Sequence, residues 1–337
     1  MTAPREIDQN TTVMPAEWEI HRRTWMAFPV TAYGARDAGS ARRAWSEVAR
    51  TIAEHEPVSM LVRPEDHSAA RELLADSVEI VPAELDDAWA RDIGPTFVRD
   101  ASGAKVAIDW RFNGWGAQGW ARWQNDDRAA QVIAEAAGVR AVRSEFVNEG
   151  GGIEVDGAGR LVVTETVQRD PHRNPGRSRE ELEAEFRTRL GVTSITWLTR
   201  GLHGDYLEFG TRGHVDLLVK FVAPGVAVYH RQSNPAHPDA AVSEEIAAAL
   251  ADAGIEAVPL VAPSRLDVDG RLCDWSYVNC YLANGVVVLG TYDDPADDAA
   301  ASTLSDLLPG RKVVRVDARP LFALGGGVHC ITQQEPE

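Results

Sequence analysis

Apolar residues recur along this chain with two periods. In Ala41–His55, Trp45, Val48, Ala49 and Ile52 fall at i, i+3, i+4 and i+7, the stripe of a helix with one buried face. The same stripe predicts helices over Asp127–Ala137, Arg179–Leu190, Ala241–Ala253 and Asp297–Leu308, with a shorter one at Asp66–Ala75. Each of the longer helices is followed by a short run of β-branched residues: Val58–Val62, Ala141–Phe146, Ser194–Leu198, Ala257–Val261 and Lys312–Val316. Further strands are expected at Lys105–Phe112, Leu161–Thr166, His214–Val222, Gly225–His230, Tyr277–Leu282 and Val286–Thr291. Ala283-Asn284-Gly285 reads as a tight hairpin turn between the last two.

The pattern is thus a helix–strand unit used about five times. Alternating helices and strands favour parallel pairing, but the Asn-Gly hairpin points instead to mixed or antiparallel pairing. No linker rich in Gly, Ser or Pro divides the 337 residues, and the reading is one domain, with residues 1–12 a flexible extension. Arg169–Arg177 reads as a surface loop.

Composition narrows the partners. Lys and Arg number 34 against 51 Asp and Glu, a net charge of −17. Phosphate binding needs a basic surface, so nucleic acid is not the expected partner, and small cations are drawn to such a field. Three cysteines, with no metal-like spacing, suit a reducing compartment and give no sign of a metal site. The first ten residues lack the regions of a signal peptide, and no apolar run approaches membrane-spanning length. A cytoplasmic protein without membrane contact is expected. Oligomeric state is left open, a homo-oligomer included.

Four segments concentrate chemistry beside glycine: Asp86–Pro95 with Trp89, Arg91 and Asp92; Asn148–Gly152 with Glu149; Thr211–Asp216 with Arg212 and His214; and Gly325–Gln334 with Cys330. Each alone has a plain reading. Arg91 and Asp92 could be a surface ion pair, His214 and Asp216 the solvated face of a strand, Cys330 a buried thiol. Together they supply a nucleophile, an acid/base and several carboxylates. Carboxylates grip a planar guanidinium through its fixed fork of donors, and a thiolate can attack its central carbon. No cofactor is called for.

These residues carry a resemblance to a family. Met14–Glu19, Thr24–Pro29, Trp89–Pro95, Asp109–Gly116, Asn148–Gly151, Gly213–Asp216, Ser276–Asn279 and His329–Gln334 resemble, in order, motifs of agmatine deiminases and bacterial peptidylarginine deiminases, within the guanidino-modifying pentein superfamily. The resemblance implies an α/β fold, a five-bladed propeller of ββαβ-type units around a central site. It implies Cys330 as nucleophile, His214 as general acid then base, Asp92 and Asp216 on the guanidinium nitrogens, and Glu149 orienting His214 or a substrate nitrogen. It implies Trp89 against the substrate stem and Gly327 as room for the ligand. The reaction implied is hydrolysis of agmatine to N-carbamoylputrescine and ammonia through a cysteine thiouronium, with an amidinotransferase as the competing chemistry. His329 is expected to play a structural part.

The chain departs from the family in two places. Arg212 stands where Asp or Asn is usual, after a longer Gly204–Gly210 segment, and the run before His329 is one residue shorter. Arg212 could meet a substrate carboxylate, as in arginine, a C-terminal arginyl peptide or a guanidino acid. It could equally bond Asp205 or Glu208.

Overall fold

In a computed structural model, the structure describes residues 12–30, 38–265, 267–268 and 271–337. The extension expected at residues 1–12 falls outside them, but for Thr12.

Five sheets share one plan. Four have three strands: β4 (Thr96–Arg99), β5 (Lys105–Arg111) and β6 (Arg140–Val147); β7 (Glu154–Val155), β8 (Arg160–Thr164) and β9 (Ser194–Leu198); β10 (Val219–Ala223), β11 (Val226–Arg231) and β12 (Glu256–Val261); and β15 (Tyr281–Ala283), β16 (Val286–Thr291) and β17 (Lys312–Asp317). In each, the first pair is antiparallel and the second parallel. A helix makes each parallel crossover: Ala129–Ala137, Arg179–Leu190, Asp239–Asp252 and Asp297–Leu307. The remaining sheet joins β1 (His21–Ala27), β2 (Val58–Val62) and β3 (Val78–Pro82) in parallel, and its antiparallel partner to β1 is the C-terminal β18 (Gln333–Pro336). A small hairpin, β13 (Asp267–Val268) and β14 (Arg271–Leu272), stands apart. The mixed α/β class and the repeated unit agree with the periodicity of the sequence.

Local chemistry explains the best-defined elements. Helix Arg179–Leu190 starts at a capping box, in which Ser178 Oγ accepts from Glu181 N at 3.2 Å and Glu181 Oε2 accepts from Ser178 N at 2.8 Å. It stops at Gly191, whose φ of +70° suits a residue without Cβ. Asn284 and Gly285 make the two-residue turn between β15 and β16, with Gly285 at φ +70°. The Asn284 side chain also bonds the His21 backbone twice, at 2.8 and 2.9 Å, tying the last sheet to the first.

Three expected elements differ. The strand expected from His214 begins only at Val219, and residues 215–217 form a 3₁₀ turn. The cause is Asp205. Its carboxylate accepts from the backbone N–H of Thr211, Gly213 and His214 at 2.6, 2.5 and 3.1 Å, and so bends the chain before the sheet starts. The strand expected from Tyr277 begins at Tyr281, after a turn built on Ser276, whose carbonyl accepts from Asn279 N at 3.3 Å. Arg169–Arg177 is not simply a surface loop, because Asp170, Arg173 and Asn174 are buried.

Among the described residues, no helix is long and apolar enough to cross a membrane.

Candidate active site

Connections between the sheets bring the expected site residues to one place. The link from β3 to β4 carries Asp92, that from β6 to β7 Glu149, that from β9 to β10 His214 and Asp216, that from β12 to β15 Asn279, and that from β17 to β18 Cys330. All six are buried.

Cys330 sits in a 3₁₀ turn, His329–Ile331. Its Sγ accepts from Asn279 Nδ2 at 3.3 Å and Gly327 N at 3.5 Å, and lies 3.6 Å from Asp216 Oδ2. Burial pushes the thiol pKa up, and the Asp216 and Asp92 charges push it further, well above the ordinary range.

The three glycines before it do different things. Gly325 needs its φ of +119°. A Cβ on Gly326 would lie 2.7 Å from the Trp89 ring and 3.0 Å from Cys330 Sγ, so Trp89 and the sulfur flank the same backbone. A Cβ on Gly327 would strike Asn279 Oδ1 at 2.4 Å and the Phe322 ring at 2.6 Å. Gly327 therefore makes room for protein atoms, and not for ligand approach as expected; what it offers the site is its N–H, toward Cys330 Sγ.

His214 Nε2 bonds Glu149 Oε2 at 3.2 Å, and its Nδ1 faces Asp92 Oδ1 at 3.8 Å without a hydrogen bond. Gly151 permits this approach, since a Cβ there would lie 2.5 Å from His214 Nδ1. Burial would lower the His214 pKa, but the charge of Asp92 and the hydrogen bond and charge of Glu149 raise it to about 9. Glu149 is itself pushed up by burial, yet Arg173 and His214 hold it at about 2.

Asp92 lies in the short helical turn Ala90–Ile93. Its Oδ2 accepts from Trp115 Nε1 at 2.8 Å and its Oδ1 from Gly151 N at 3.2 Å. Burial pushes its carboxyl up; His214 draws it back, and Asp216 and Glu149 leave it at about 6. Asp216 Oδ2 bonds His329 Nδ1 at 2.8 Å and Asn279 Nδ2 at 3.1 Å. Burial would raise Asp216, but the hydrogen bond and charge of His329 keep it below the usual carboxylate range. The two carboxylates are therefore split, because only Asp216 has a histidine bonded to it.

Two buried polar atoms here, Asp216 Oδ1 and His214 Nδ1, have no hydrogen-bond partner within the protein among the described residues. Buried polar groups rarely stay so: Asp216 Oδ1 fits a ligand that offers an N–H group, and the Nδ1–H of the protonated His214 a group that takes its proton. Among the described residues no group of three His, Cys, Asp or Glu is placed to hold a metal ion.

The remaining expectations fall out as follows. Trp89 is in place, edge-on to Trp45 at 5.2 Å between centroids. The Arg212 side chain bonds Asp170 Oδ2 at 3.2 Å, and its backbone N–H donates to the Asp205 carbonyl at 3.0 Å. His329 spans Asp216 and Glu17, with Nε2 at 2.8 Å from Glu17 Oε2, so its structural part is to fix a site carboxylate. Asn279, Glu17 and Trp115 lay in motifs noted above but drew no role. Arg173 lay in the supposed surface loop. A cavity of about 550 Å³ adjoins the site at Gly325, lined among others by Glu208, Phe209, Trp275 and Arg319. None of Asp92, His214, Asp216 or Cys330 lines it, and Leu324 and Gly325 bring it up to the nucleophile loop.

Known proteins resemble this chain along its whole length. The profile of the Porphyromonas-type peptidyl-arginine deiminases matches residues 13–336. A relative in Streptomyces coelicolor is 50% identical over 333 residues, 96% of this chain and 98% of that one. The agmatine deiminase of Ectopseudomonas mendocina is 37% identical over 355 residues, 96% of this chain and 95% of its own. The solved agmatine deiminase of Enterococcus faecalis superposes with a TM-score of 0.91 at 29% identity, covering 98% of this chain and 97% of that one. With a full-length profile match and such relatives, the chain belongs to the Porphyromonas-type peptidyl-arginine deiminase family.

Proposed function

We propose that this protein is a hydrolase that deiminates agmatine, giving N-carbamoylputrescine and ammonia. The observation that carries the reading is the Cys330 thiol set 3.6 Å from buried Asp216 and in the field of buried Asp92, which in turn faces the unpartnered Nδ1 of His214.

The chemistry follows from these atoms. A planar guanidinium set between Asp92 and Asp216 gives Asp216 Oδ1 the donor it lacks. Its charge also offsets the two carboxylates that hold the Cys330 proton on, so binding favours the thiolate and the thiol proton passes to solvent. Sγ attacks the guanidinium carbon, and the C=N electron pair moves onto nitrogen. Protonated His214 gives its proton to one terminal nitrogen, the C–N bond breaks, and ammonia leaves. An S-alkylthiouronium remains on Cys330. Neutral His214 then takes a proton from water as its oxygen bonds to carbon. The C–S bond breaks, the proton left on that oxygen passes to sulfur, and the Cys330 thiol, the His214 imidazolium and the ureido product result. Glu149 steadies the imidazolium, and Trp89 packs beside the substrate stem.

Arg212 is held by Asp170, which supports a substrate ending in an amine over one ending in a carboxylate. A small cationic substrate, no nucleic-acid partner and a cytoplasmic setting go with this reading.

A screen for ammonia release tests it. Agmatine should be turned over at least about 100-fold more efficiently than arginine, C-terminal arginyl peptides or guanidino acids, judged by kcat/KM. Preference for a carboxylate-bearing substrate would overturn the agmatine assignment. A need for an amine acceptor would make the protein an amidinotransferase.

A further inference from the structure

Arg173 is a buried arginine with a partner on each of its three guanidinium nitrogens. Its Nε lies 2.9 and 3.0 Å from the two Glu149 oxygens, its Nη1 donates to Asp170 Oδ2 at 3.0 Å, and its Nη2 donates to the Thr211 carbonyl at 2.7 Å. Two of these partners lead to His214. Glu149 Oε2 is the atom that His214 Nε2 bonds. Thr211 begins the turn that carries His214, and Thr211 Oγ1 accepts from His214 N at 3.1 Å. One guanidinium thus holds both the carboxylate on which the imidazole leans and the backbone from which it projects.

Anchoring the loop does not require this. Asn174 already ties it down, accepting from Val147 N at 3.1 Å and donating to Val147 O at 2.9 Å. A buried guanidinium is strongly destabilising unless fully bonded, so its presence beside a loop already anchored points to a further role. Which imidazole nitrogen carries a proton is set by the partner of the other. A Glu149 free to rotate would leave His214 Nδ1 without a fixed direction toward Asp92 and the reacting nitrogen.

We propose that Arg173, itself held by Asp170, is a positioning residue of the reaction: it fixes Glu149 against His214 Nε2 and so aims His214 Nδ1 into the site. The inference rests on His214 moving protons in guanidino hydrolysis.

The test is a double-mutant cycle on the full chain with agmatine, joined to a titration of His214. Arg173→Met should lower kcat about 100-fold with KM changed less than about threefold, and Arg173→Lys, which keeps the charge without the fork, should fall between it and wild type. If Arg173 acts through Glu149, Arg173→Met combined with Glu149→Gln should be no more than about threefold worse than the poorer single variant. In protein made inert by Cys330→Ser, the His214 titration midpoint, read by NMR, should fall on adding Arg173→Met. The sign follows from Glu149: without its counter-charge a buried carboxylate takes up a proton more readily, and His214 loses an anionic partner. Losses that multiply in the double variant, or an unmoved His214 midpoint, would overturn the proposal. Should Arg173→Met not fold, Arg173→Lys and Asp170→Asn enter the same cycle and titration, with the same outcomes deciding. The titration needs no turnover, so it judges Arg173 even if agmatine is not the substrate.

Discussion

Cys330→Ser is expected to lower turnover on agmatine by at least about 10⁴-fold while leaving agmatine affinity within a few-fold. Serine keeps the size and the contacts with Asn279 and Gly327. It does not keep the nucleophile. A hydroxyl beside Asp216 has no histidine bonded to it to take its proton, because His214 turns its Nε2 to Glu149 and its Nδ1 toward Asp92. The binding carboxylates are untouched, so calorimetric titration of Cys330→Ser with agmatine should still show a site. A variant that turned over within tenfold of wild type would remove Cys330 from the chemistry. One that lost affinity as well as rate would make the cysteine part of the binding surface.

The second large effect concerns the charge of a reagent. In the free enzyme Cys330 is held as the thiol by burial and by the charges of Asp216 and Asp92. A neutral alkylating agent such as chloroacetamide relieves none of this. It should react slowly at pH 7, and faster as pH rises past the ordinary thiol range. A cationic analogue of similar shape, chloroacetamidine, brings the charge that the two carboxylates lack, and should label Cys330 about 10³-fold faster at pH 7. The advantage has a predicted pH dependence. Asp92 is raised to about 6, so it is an anion above that pH and neutral below it. The ratio of cationic to neutral labelling rates should therefore fall as pH drops through about 6, and Asp92→Asn should flatten that fall. Equal rates for the two reagents at pH 7 would mean that the carboxylates do not govern the thiol.

Much of the fold was legible in the chain because its signals are local. The apolar stripe of Arg179–Leu190, its Ser178–Glu181 box and Gly191 mark both ends of that helix without help from elsewhere. Val58–Val62, Ser194–Leu198 and Val286–Thr291 are runs of apolar and β-branched residues, and they appear where expected. Strands that depend on distant partners were not legible. β7 is two residues long and exists by pairing with β8, and β1 meets β18 from the far end of the chain. The turn at residues 215–217 was missed because Asp205, which makes it, reads as one more acidic loop residue.

The site divides in the same way. Cys330, His214, Asp92, Asp216 and Glu149 stand beside glycines in dense polar motifs, and the structure brings them together. Asn279 was overlooked because an amide in a Ser-Tyr-Val-Asn run carries no charge signal. Glu17 and His329 matter through each other, across most of the chain. Arg173 was misread because a loop rich in Arg, Asn and Pro has the composition of a surface. No periodicity announces that a guanidinium within it turns inward. The signal that could have found it is the acid it serves, since a buried Glu149 must have a cation, and few unassigned arginines stood near a glycine-rich turn.

The covalent step is the centre of this account, and trapping it is the most direct test. Wild-type enzyme turning over agmatine is quenched in acid and its intact mass measured, with peptide mapping to locate any adduct. The account predicts a gain equal to agmatine less ammonia, on Cys330 alone, absent from Cys330→Ser and lost when substrate is exhausted. Steady turnover with Cys330 unmodified at every quench time would contradict it.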